Sequence, residues 1–519
     1  MVFFRAALCA ALFLVFGSIG AVAQDITLTS RDGSVEITGT LLGFDGEFYR
    51  VDTVYGELTV DGSGVLCEGP ACPNLTAFVA ELRLSGAETM GSVLMPALVE
   101  AFALRNGLSA TREQDEPARI TYLLREKSQG QLVGRFHIHA TNTDEGFADL
   151  LVNEADIVMS LREVRAAEAA RAQEAGMGDL RGRGRVRVLA LDALVPIVAP
   201  DNPVGVISTP ELARVFSGQI DNWKALGGPD APITLHLRDA RSGLGQAVVD
   251  RLLAPIGAGL GAGAVRHSSN GALADAVAGD PFGLGLASAA ALGAARPLAL
   301  SGACGFSLRA ERRNVKTEDY PLTAPLFLYL PARRLPSLAR DFLSYLRDPQ
   351  AQLVIRRAGF VDQTPEEIAI EAQGNRFANA IARAGDETSL EDLQRMVSVL
   401  SPYKRLTTTF RFEPGSTRLD AQSRSNVEQL ARALEAGVYD TRDLLFVGFS
   451  DGEGSARINR EIAERRAETV RAAVVAAAET ANLSRIGIDV DAFGEAMPMA
   501  CDDSAWGRLV NRRVEVWVR

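Results

Sequence analysis

Two side chains of opposite charge near the C-terminus are spaced to hold a ligand that carries both an ammonium and a carboxylate. Asp451 directly follows an apolar run at residues 444–450, which predicts a buried strand ending at this carboxylate. The pattern after it predicts a helix on which Asn459 and Arg466 stand one heptad apart, and therefore on one face. A carboxylate can pair with the ammonium of such a ligand, while a guanidinium can hold its carboxylate through two parallel hydrogen bonds.

The segments around these residues resemble the OmpA-like peptidoglycan-binding domain. The resemblance is carried by the strand and its exit, by the opening FRFEPGSTRL at residues 410–419, and by the closing GRLVNRRVEV at residues 507–516. It covers about residues 405–519. It implies an α/β domain that binds the diaminopimelate of the peptidoglycan stem peptide.

The resemblance also assigns a role to each candidate residue. Asp451 would pair with the ammonium of diaminopimelate, and Arg466 would hold its carboxylate. The other peptidoglycan-binding candidates are Ser450 and Asn459, which would supply supporting hydrogen bonds, and Arg512 and Arg513, one of which would close the site. The alternative is structural: Asp451 would cap the glycine-rich turn at 452–454, and Arg466 would be a solvated helix residue.

The middle of the chain alternates strand and helix patterns, which predicts an α/β domain. Residues 191–199, 207–224 and 238–245, together with DPFGLGL at residues 280–286, resemble the PstS-like phosphate-binding proteins of ABC transporters. The resemblance implies a two-lobed α/β periplasmic-binding-protein fold of type II over residues 76–362. The cleft between the lobes would hold phosphate or a related small oxyanion.

Such proteins hold the oxyanion with backbone N–H groups at helix N-termini and with hydroxyl donors, because these helix ends favour negative charge. Carried over to this sequence, the anion-binding candidates are Ser85, Thr89 and Gly91 in a first loop, Ser160 and Arg162 in a second, and Arg238, Ser242 and Gly243 in a third. For Arg238 the alternative is an internal ion pair with Asp239.

Two leucines depart from the pattern of this family. Leu161 and Leu244 stand where hydroxyl or acidic side chains are usual. Each donor lost from a desolvated anion site costs roughly 1–3 kcal/mol. We therefore expect weak phosphate binding, a preference for an anion with an organic tail, or no binding at all.

Nothing in the sequence predicts an enzyme. Residues 448–452 fit the G-x-S-x-G nucleophile motif, but that hydrolase arrangement requires a histidine after the serine. The four histidines all precede it: His137, His139, His236 and His267. His137 and His139 share one face of a predicted strand without a third ligand, so we expect neither a metal nor another cofactor.

The N-terminus and the charge balance indicate the cellular compartment. Residues 1–23 predict a secretory signal peptide, and Cys9 lies too early in it to be a lipoprotein cysteine. No later segment offers ~18 consecutive apolar residues, so we expect a mature chain without a transmembrane segment. The net charge of −11 argues against nucleic acid as a partner. Diaminopimelate binding implies the Gram-negative periplasm, at the cell wall, with the outer membrane as a further location.

Four cysteines remain after the signal peptide, an even number that is compatible with disulfides in an oxidising compartment. Cys67 and Cys72 flank a Gly-Pro turn that bends the chain back, which predicts a local disulfide between them. Cys304 and Cys501 are the remaining two and form a predicted second pair, which would staple the middle domain to the C-terminal one.

At 519 residues the chain is too long for one core and is predicted to be multidomain. After the signal peptide we expect a small antiparallel β unit of three to five strands at 24–75, punctuated by Asp-Gly turns at 32–33, 45–46 and 61–62. The PstS-like domain at 76–362, a helical connector at 363–403 and the OmpA-like domain at 404–519 complete the predicted order.

The leading functional hypothesis is a peptidoglycan-anchored solute-binding protein for phosphate or a related oxyanion, with an ABC transporter permease as a further partner. The alternative is a wall-anchored interaction protein whose middle domain has lost its ligand. An enzyme acting on the wall or on phosphate esters is the weakest hypothesis, because no nucleophile–base pair emerges.

Overall fold

The computed structural model describes residues 25–75, 78–302, 307–385, 387–413 and 416–519. The predicted signal peptide lies outside the described residues, as does Cys304. The chain forms two compact units, of which the first contains the described residues up to Ala80 together with Arg334–Arg340, and the second contains Glu81–Arg333 and Asp341–Arg519. No helix among the described residues has both the length and the apolar character needed to span a membrane.

The first unit is built on one antiparallel five-stranded sheet. Its strands are β1 (Asp25–Ser30), β2 (Glu36–Phe44), β3 (Phe48–Thr53), β4 (Gly56–Asp61) and β5 (Val65–Glu68), in the order β4-β3-β2-β1-β5. The predicted antiparallel β unit is confirmed. The turn at 61–62 is not a hairpin, because β5 pairs with β1 at the opposite edge of the sheet instead of with β4.

A disulfide and an ion-pair cluster supplement the small core of this sheet. The predicted Cys67–Cys72 disulfide is present. Arg334 pairs with Asp45 at 2.8 Å and lies 4.2 Å from the centre of the Phe48 ring. These contacts support a sheet too small to bury a large apolar surface of its own.

The second unit contains an eleven-stranded sheet that passes through two lobes. The first lobe contains β6 (Ala80–Ala87), β7 (Leu108–Glu116), β8 (Arg119–Glu126), β9 (Leu132–Thr141) and β10 (Ile157–Ser160), with helices α1 (Met95–Arg105), α2 (Thr143–Leu151) and α3 (Ala166–Glu174). Two long strands, β11 (Val186–Val198) and β19 (Thr323–Tyr329), pair with each other and continue the sheet into the second lobe. They are the connection between the lobes.

The second lobe lies between these two strands in the sequence. Its strands are β12 (Val206–Ser208), β13 (Thr234–Arg238), β14 (Val265–His267), β15 (Gly283–Ser288), β16 (Arg296–Pro297), β17 (Ala299–Ser301) and β18 (Ser307–Leu308). Its helices are α4 (Thr209–Phe216), α5 (Gly243–Val248), α6 (Asn270–Gly279) and α7 (Arg312–Lys316). After β19, α8 (Ser337–Tyr345) and α9 (Pro349–Arg357) follow. The observed two-lobed fold agrees with the predicted one.

The distinctive 207–224 segment has a structural role in the second lobe. Ser208 caps α4 and forms a capping box with Glu211, which satisfies two backbone groups at the start of the helix. Trp223 is fully buried, and its indole N–H donates to the carbonyl oxygen of Phe282 at 2.9 Å. The motif therefore specifies packing within the second lobe.

The predicted anion-binding loops follow two sets of parallel strands, one in each lobe. β10 runs parallel to β6, and β13 runs parallel to β14 and β15. The loops that follow β6, β10 and β13 therefore leave the carboxyl ends of parallel strands, where ligands of α/β sheets usually bind.

The C-terminal domain is an α/β sandwich. Its strands are β20 (Glu367–Ile368), β21 (Lys404–Arg411), β22 (Asp443–Phe449), β23 (Gly487–Gly494) and β24 (Arg513–Val518), in the order β20-β21-β24-β22-β23. Its helices are α10 (Gly374–Ala382), α11 (Leu390–Leu400), α12 (Ala421–Glu435), α13 (Ala456–Ala477) and α14 (Ala505–Asn511). α12 and α13 cover one face of the sheet, and α10 and α11 of the predicted connector cover the other.

A buried ionic network joins this domain to the second lobe. Arg405 at the start of β21 donates two hydrogen bonds to Asp319, at 2.6 and 3.0 Å, and both side chains are almost fully buried. The Glu515 carboxylate on β24 forms ion pairs with Arg376 at 2.5 Å and with Arg513 at 2.7 Å. Burial alone would raise the pKa of Glu515, but the three surrounding guanidiniums hold that pKa well below its usual range. Cys501 is disulfide-bonded. Its pairing with Cys304, which would link the middle domain to the C-terminal domain, stays a prediction.

A second cluster of charged residues lies between the C-terminal domain and the rest of the second unit, and its carboxylates are less well neutralised by neighbouring cations. A cavity of about 160 Å³ is lined by Glu163, Arg251, Glu318, Arg411 and Asp420, among others. Arg411 donates to backbone carbonyl oxygens, including that of Glu318 at 2.6 Å, while its Nε lies 4.0 Å from the Glu318 carboxylate and makes only a long ion pair with it. Burial therefore raises the pKa of Glu318 to about 8, and burial also raises that of Asp420 to about 6.

Replacing Asp319 by alanine should strongly destabilise the folded chain, because it leaves the Arg405 guanidinium buried without its bidentate partner. The expected loss in unfolding free energy is roughly 3–5 kcal/mol, measured by denaturant titration. As a control, Asp443→Ala removes an exposed ion pair with Arg519 within the C-terminal domain and should cost less than about 1 kcal/mol. Equal losses in the two variants would contradict a structural role for the network.

Glu318 should make stability fall as the pH rises. Because its pKa is raised from 4.5 to about 8, the folded chain keeps a proton that the unfolded chain releases between these values. The wild type should therefore lose stability relative to Glu318→Gln by about 1.4 kcal/mol per pH unit across this window. Unfolding free energies measured from pH 5 to 8 test this, with the exposed Glu464→Gln as a control. Parallel profiles for wild type and Glu318→Gln would refute the assignment.

Candidate functional site

The C-terminal site begins where β22 ends. Ser450 and Asp451 follow the strand and are both buried. The Asp451 carboxylate pairs with Nε of Arg512 at 2.6 Å. The Ser450 hydroxyl has no hydrogen-bond partner among the described residues, although it is buried. A buried hydroxyl without a partner is costly unless a ligand or water satisfies it, so the strand exit is a place for a polar ligand.

Arg466 reaches this site from α13. Its guanidinium carbon lies 5.4 Å from the centre of the buried Phe412 ring. Burial and then the nearby Arg512 lower the pKa of Arg466, and Asp451 opposes that shift. No hydrogen bond or ion pair of the Arg466 side chain occurs among the described parts of the chain. The Arg466 guanidinium is therefore not paired with a carboxylate of the described residues and is available to an anionic group.

Asn459 lies on the same helix as Arg466 but is already engaged. Its amide donates to a carboxylate oxygen of Glu495 at 2.8 Å, which fixes the segment after β23 against α13. Its contribution is therefore to hold the wall of the site. A supporting hydrogen bond from Asn459 to the ligand stays a prediction.

Arg513 does not reach the site. It begins β24 facing the opposite way from Arg512, is fully buried, and donates to Glu515 and to the carbonyl oxygen of Met497 at 2.9 Å. Its guanidinium carbon lies 4.3 Å from the centre of the Phe449 ring. The structure therefore places Arg512, and not Arg513, beside Asp451, because neighbouring side chains at a strand start face opposite sides.

Two residues that position the site were missed by sequence reasoning. Asp502 accepts from the Gly452 N–H at 2.8 Å and from the Asn511 amide at 2.8 Å. Asn511 is fully buried, and its oxygen accepts from the N–H groups of Met499 and Ala500. Together, these hydrogen bonds fix the turn after Asp451 and hold Asn511 in place next to Arg512. The Asn511-Arg512-Arg513 string was the available signal for this role.

The three predicted anion-binding loops of the second unit do approach one another. A Cβ atom added at Gly243 would stand 3.1 Å from a methyl carbon of Leu161 and 3.5 Å from Cβ of Ala87. Thr89 follows in the loop after β6 and is buried. Leu161 therefore fills space between the loops, as expected for a residue that makes the cleft more apolar.

Arg238 is placed at this convergence but already has an anionic partner. It is 3 % exposed, and it forms an ion pair with Glu88. A second nitrogen donates to the carbonyl oxygen of His267 at 3.0 Å. The alternative of an internal ion pair is thus observed, but the partner is Glu88 and not Asp239. Sequence reasoning missed Glu88 because 150 residues separate it from Arg238.

The other predicted polar ligands of the cleft are also bonded within the chain. Arg162 pairs with Glu168 at 2.6 Å and with Asp144. Ser160 donates to the Arg162 carbonyl oxygen at 2.6 Å. Ser242 caps α5, accepting from the Gly245 N–H at 3.0 Å and donating to a carbonyl oxygen at 2.7 Å.

Ser85 and Gly91 make other contacts within the first lobe. The Ser85 hydroxyl donates to Asp149 at 2.5 Å and lines a separate pocket of about 290 Å³ with His137 and His139. A Cβ at Gly91 would stand 2.9 Å from Cβ of Ala140, so this glycine permits close packing of the helix start on β9.

The polar groups of the histidine pocket contact one another. His139 directs the same ring nitrogen, Nδ1, toward the Ser85 hydroxyl at 3.3 Å and the Asp149 carboxylate at 2.9 Å, whereas a serine–histidine–aspartate relay uses the two different ring nitrogens. His137 contacts Glu81 at 2.9 Å. No group of three or more potential metal ligands occurs within the described ranges.

Comparison with known proteins agrees with this architecture. Residues 76–349, more than half of the chain, match the profile of the PBP superfamily domain, and residues 411–512 match that of the OmpA family. The phosphate-binding protein PstS of Bacillus subtilis is 31% identical over 189 residues, covering 36% of this chain and 61% of that protein. The outer-membrane lipoprotein YfiB of Pseudomonas aeruginosa is 34% identical over 101 residues, covering 20% of this chain and 56% of that protein.

The alignments with PstS and with YfiB each span less than two thirds of the length of the relative. Among solved structures, an ABC-type phosphate transport receptor from Vibrio cholerae covers 54% of this chain and 99% of its own, with a TM-score of 0.42 and 18% identity. The peptidoglycan-associated lipoprotein from Burkholderia pseudomallei covers 21% of this chain and 89% of its own, with a TM-score of 0.19 and 22% identity. The chain therefore belongs to the PBP superfamily and carries an OmpA-family domain at its C-terminus.

Proposed function

We propose that this chain is a periplasmic binding protein that is anchored to peptidoglycan through its C-terminal domain. The observation that carries the proposal is the half-buried Arg466 guanidinium, which has no hydrogen-bond or ion-pair partner among the described residues and stands near the Asp451–Arg512 pair. Partial burial of a guanidinium without a carboxylate partner is unfavourable, so the site is suited to receive a carboxylate. The match to the OmpA family supports the same reading.

The charges fit the proposed ligand, the diaminopimelate of the stem peptide. Its ammonium would approach the Asp451 carboxylate, while its carboxylate would lie between Arg466 and Arg512. The free Ser450 hydroxyl would complete the hydrogen bonding at the strand exit. A ligand with only one of these charges would leave part of the site unpaired, so the site should select zwitterionic centres.

Asp451→Ala and Arg466→Ala should each abolish most binding to isolated sacculi while the fold persists. Each change leaves one charge of the ligand unpaired, which costs roughly 2–5 kcal/mol, or at least about thirtyfold in affinity. Pull-down of the full chain with sacculi measures this, alongside thermal unfolding. Arg457→Ala is a matched control, because Arg457 lies on the same helix but is exposed. Binding of either site variant to sacculi at the wild-type level would contradict the assignment of the peptidoglycan-binding site.

For the middle domain we propose weak binding of phosphate or a related small oxyanion in the cleft between the lobes. Thr89 after β6 and Arg238 at the end of β13 support this placement, as does the relationship to the PBP superfamily. PstS of Bacillus subtilis is named as a phosphate-binding protein. An ABC transporter permease is the further partner that such a role would require.

A second candidate function has an observation of its own in its favour. The polar side chains of Ser160, Arg162, Arg238 and Ser242 are all bonded to groups of the chain itself. This arrangement also suits a wall-anchored interaction protein whose binding-protein-like domain has no transport ligand. Neither candidate requires catalysis, consistent with relatives that are binding or envelope proteins.

Calorimetry of the full chain with inorganic phosphate and with organic phosphates separates the two candidates. We expect phosphate affinity below that of a dedicated scavenger, by roughly one to two powers of ten for each missing donor. Arg238→Ala should remove the remaining affinity, while Arg457→Ala should not change it. Absence of any anion binding in the folded wild type would leave the interaction protein as the function.

A further inference from the structure

The ion pair between Glu88 and Arg238 crosses the cleft. Glu88 belongs to the loop after β6 in the first lobe, and Arg238 is the last residue of β13 in the second. The Arg238 side chain is 3 % exposed, whereas the Glu88 side chain is 31 % exposed. The pair therefore joins a fixed buried cation to an acid that can still reach solvent.

Arg238 has little capacity for a further anion while Glu88 is bound. One terminal nitrogen donates to Glu88 and the other to the His267 carbonyl oxygen. Its Nε is buried and has no hydrogen-bond partner among the described residues. The Arg238 guanidinium is thus neutralised by Glu88, a residue of the chain itself, at the point where the three loops meet.

Other contacts also hold the two lobes together without a ligand. The Gln246 amide of α5 donates to the side-chain oxygen of Asn142, at 3.3 Å, across the cleft. Arg165 of the first lobe pairs with Asp250 of the second at 3.2 Å. The methyl carbon of Leu161 lies against Gly243. The lobes are therefore in contact through their own side chains.

We propose that Glu88 acts as an internal anion that occupies the anion position at Arg238, so that an oxyanion must displace it before it can bind. The inference rests on the proposed anion-binding function of the cleft. It names Glu88 as the residue that determines how tightly this site binds an external anion.

Two physical effects favour the internal carboxylate over a free anion. Glu88 is tethered beside Arg238, so its effective concentration is at least in the millimolar range and a dilute ligand competes poorly. While it remains ionised at the site, it also repels any second anion that approaches the same guanidinium. Removing the charge at position 88 removes both effects and leaves Arg238 available.

The test is calorimetry of the full chain with inorganic phosphate, comparing wild type, Glu88→Gln and the double variant Glu88→Gln/Arg238→Gln. Glu88→Gln should bind phosphate at least tenfold more tightly than the wild type, and the double variant should lose this gain. Glu113→Gln neutralises an exposed acid of the same lobe and should behave as wild type, which excludes a general charge effect.

The outcomes separate this inference from the function on which it rests. Equal, measurable phosphate affinity in wild type and Glu88→Gln overturns the role of Glu88 but retains an anion-binding cleft. No binding in either folded protein overturns both. If Glu88→Gln does not fold without phosphate, Glu88→Asp retains the charge on a shorter side chain and should bind phosphate more tightly than wild type. Unchanged affinity in that variant would also overturn the proposal.

Discussion

The buried pairing of Arg405 with Asp319 is the interaction on which the arrangement of the second unit depends. It takes a guanidinium from β21 of the C-terminal domain and a carboxylate from the second lobe, and buries both almost completely. Glu515 links this pair to Arg376 and Arg513. Buried charges tolerate little displacement, since each loses several kcal/mol of solvation that only its partners restore. The C-terminal domain is thus packed against the lobe and not merely tethered to it.

The connector takes part in this packing. α11 contributes Leu393, Met396 and Leu400 to a core with Trp517 on the sheet face opposite α12 and α13. The segment between the two domains is therefore a structural layer of the C-terminal domain. If this domain binds the wall as proposed, the packed seam would present the cleft in a fixed orientation relative to the wall.

The two candidate sites differ in how their charges are balanced. At the C-terminal site Asp451 is paired with Arg512, whereas the Arg466 guanidinium and the Ser450 hydroxyl have no hydrogen-bond or ion-pair partner among the described residues. In the cleft, Arg238 and Arg162 each have their own carboxylates. Unsatisfied groups favour ligand binding, whereas satisfied groups must first lose an existing interaction. This difference explains why the wall-binding role is the better supported half of the proposed function.

Local sequence was sufficient for much of this protein and insufficient for the rest. Period-two alternation predicted the antiparallel sheet, the short spacing of Cys67 and Cys72 predicted their disulfide, and the strand–helix order with its motifs predicted both α/β folds. The convergence of Asp451 and Arg466 was also accessible, because both belong to one strand–helix unit. Such features are determined by residues close together in the chain, where periodicity and turn chemistry act.

The choice of charged partners was decided by the tertiary structure alone. The chain has 54 basic and 65 acidic residues, and no local rule selects Glu88 for Arg238 or Asp319 for Arg405. These pairs form because the topology brings the loop after β6 to the end of β13, and the start of β21 to the segment before β19. The opposite orientations of Arg512 and Arg513 likewise follow from where β24 begins. Partner choice in a buried, low-dielectric setting depends on distances that only the folded chain defines.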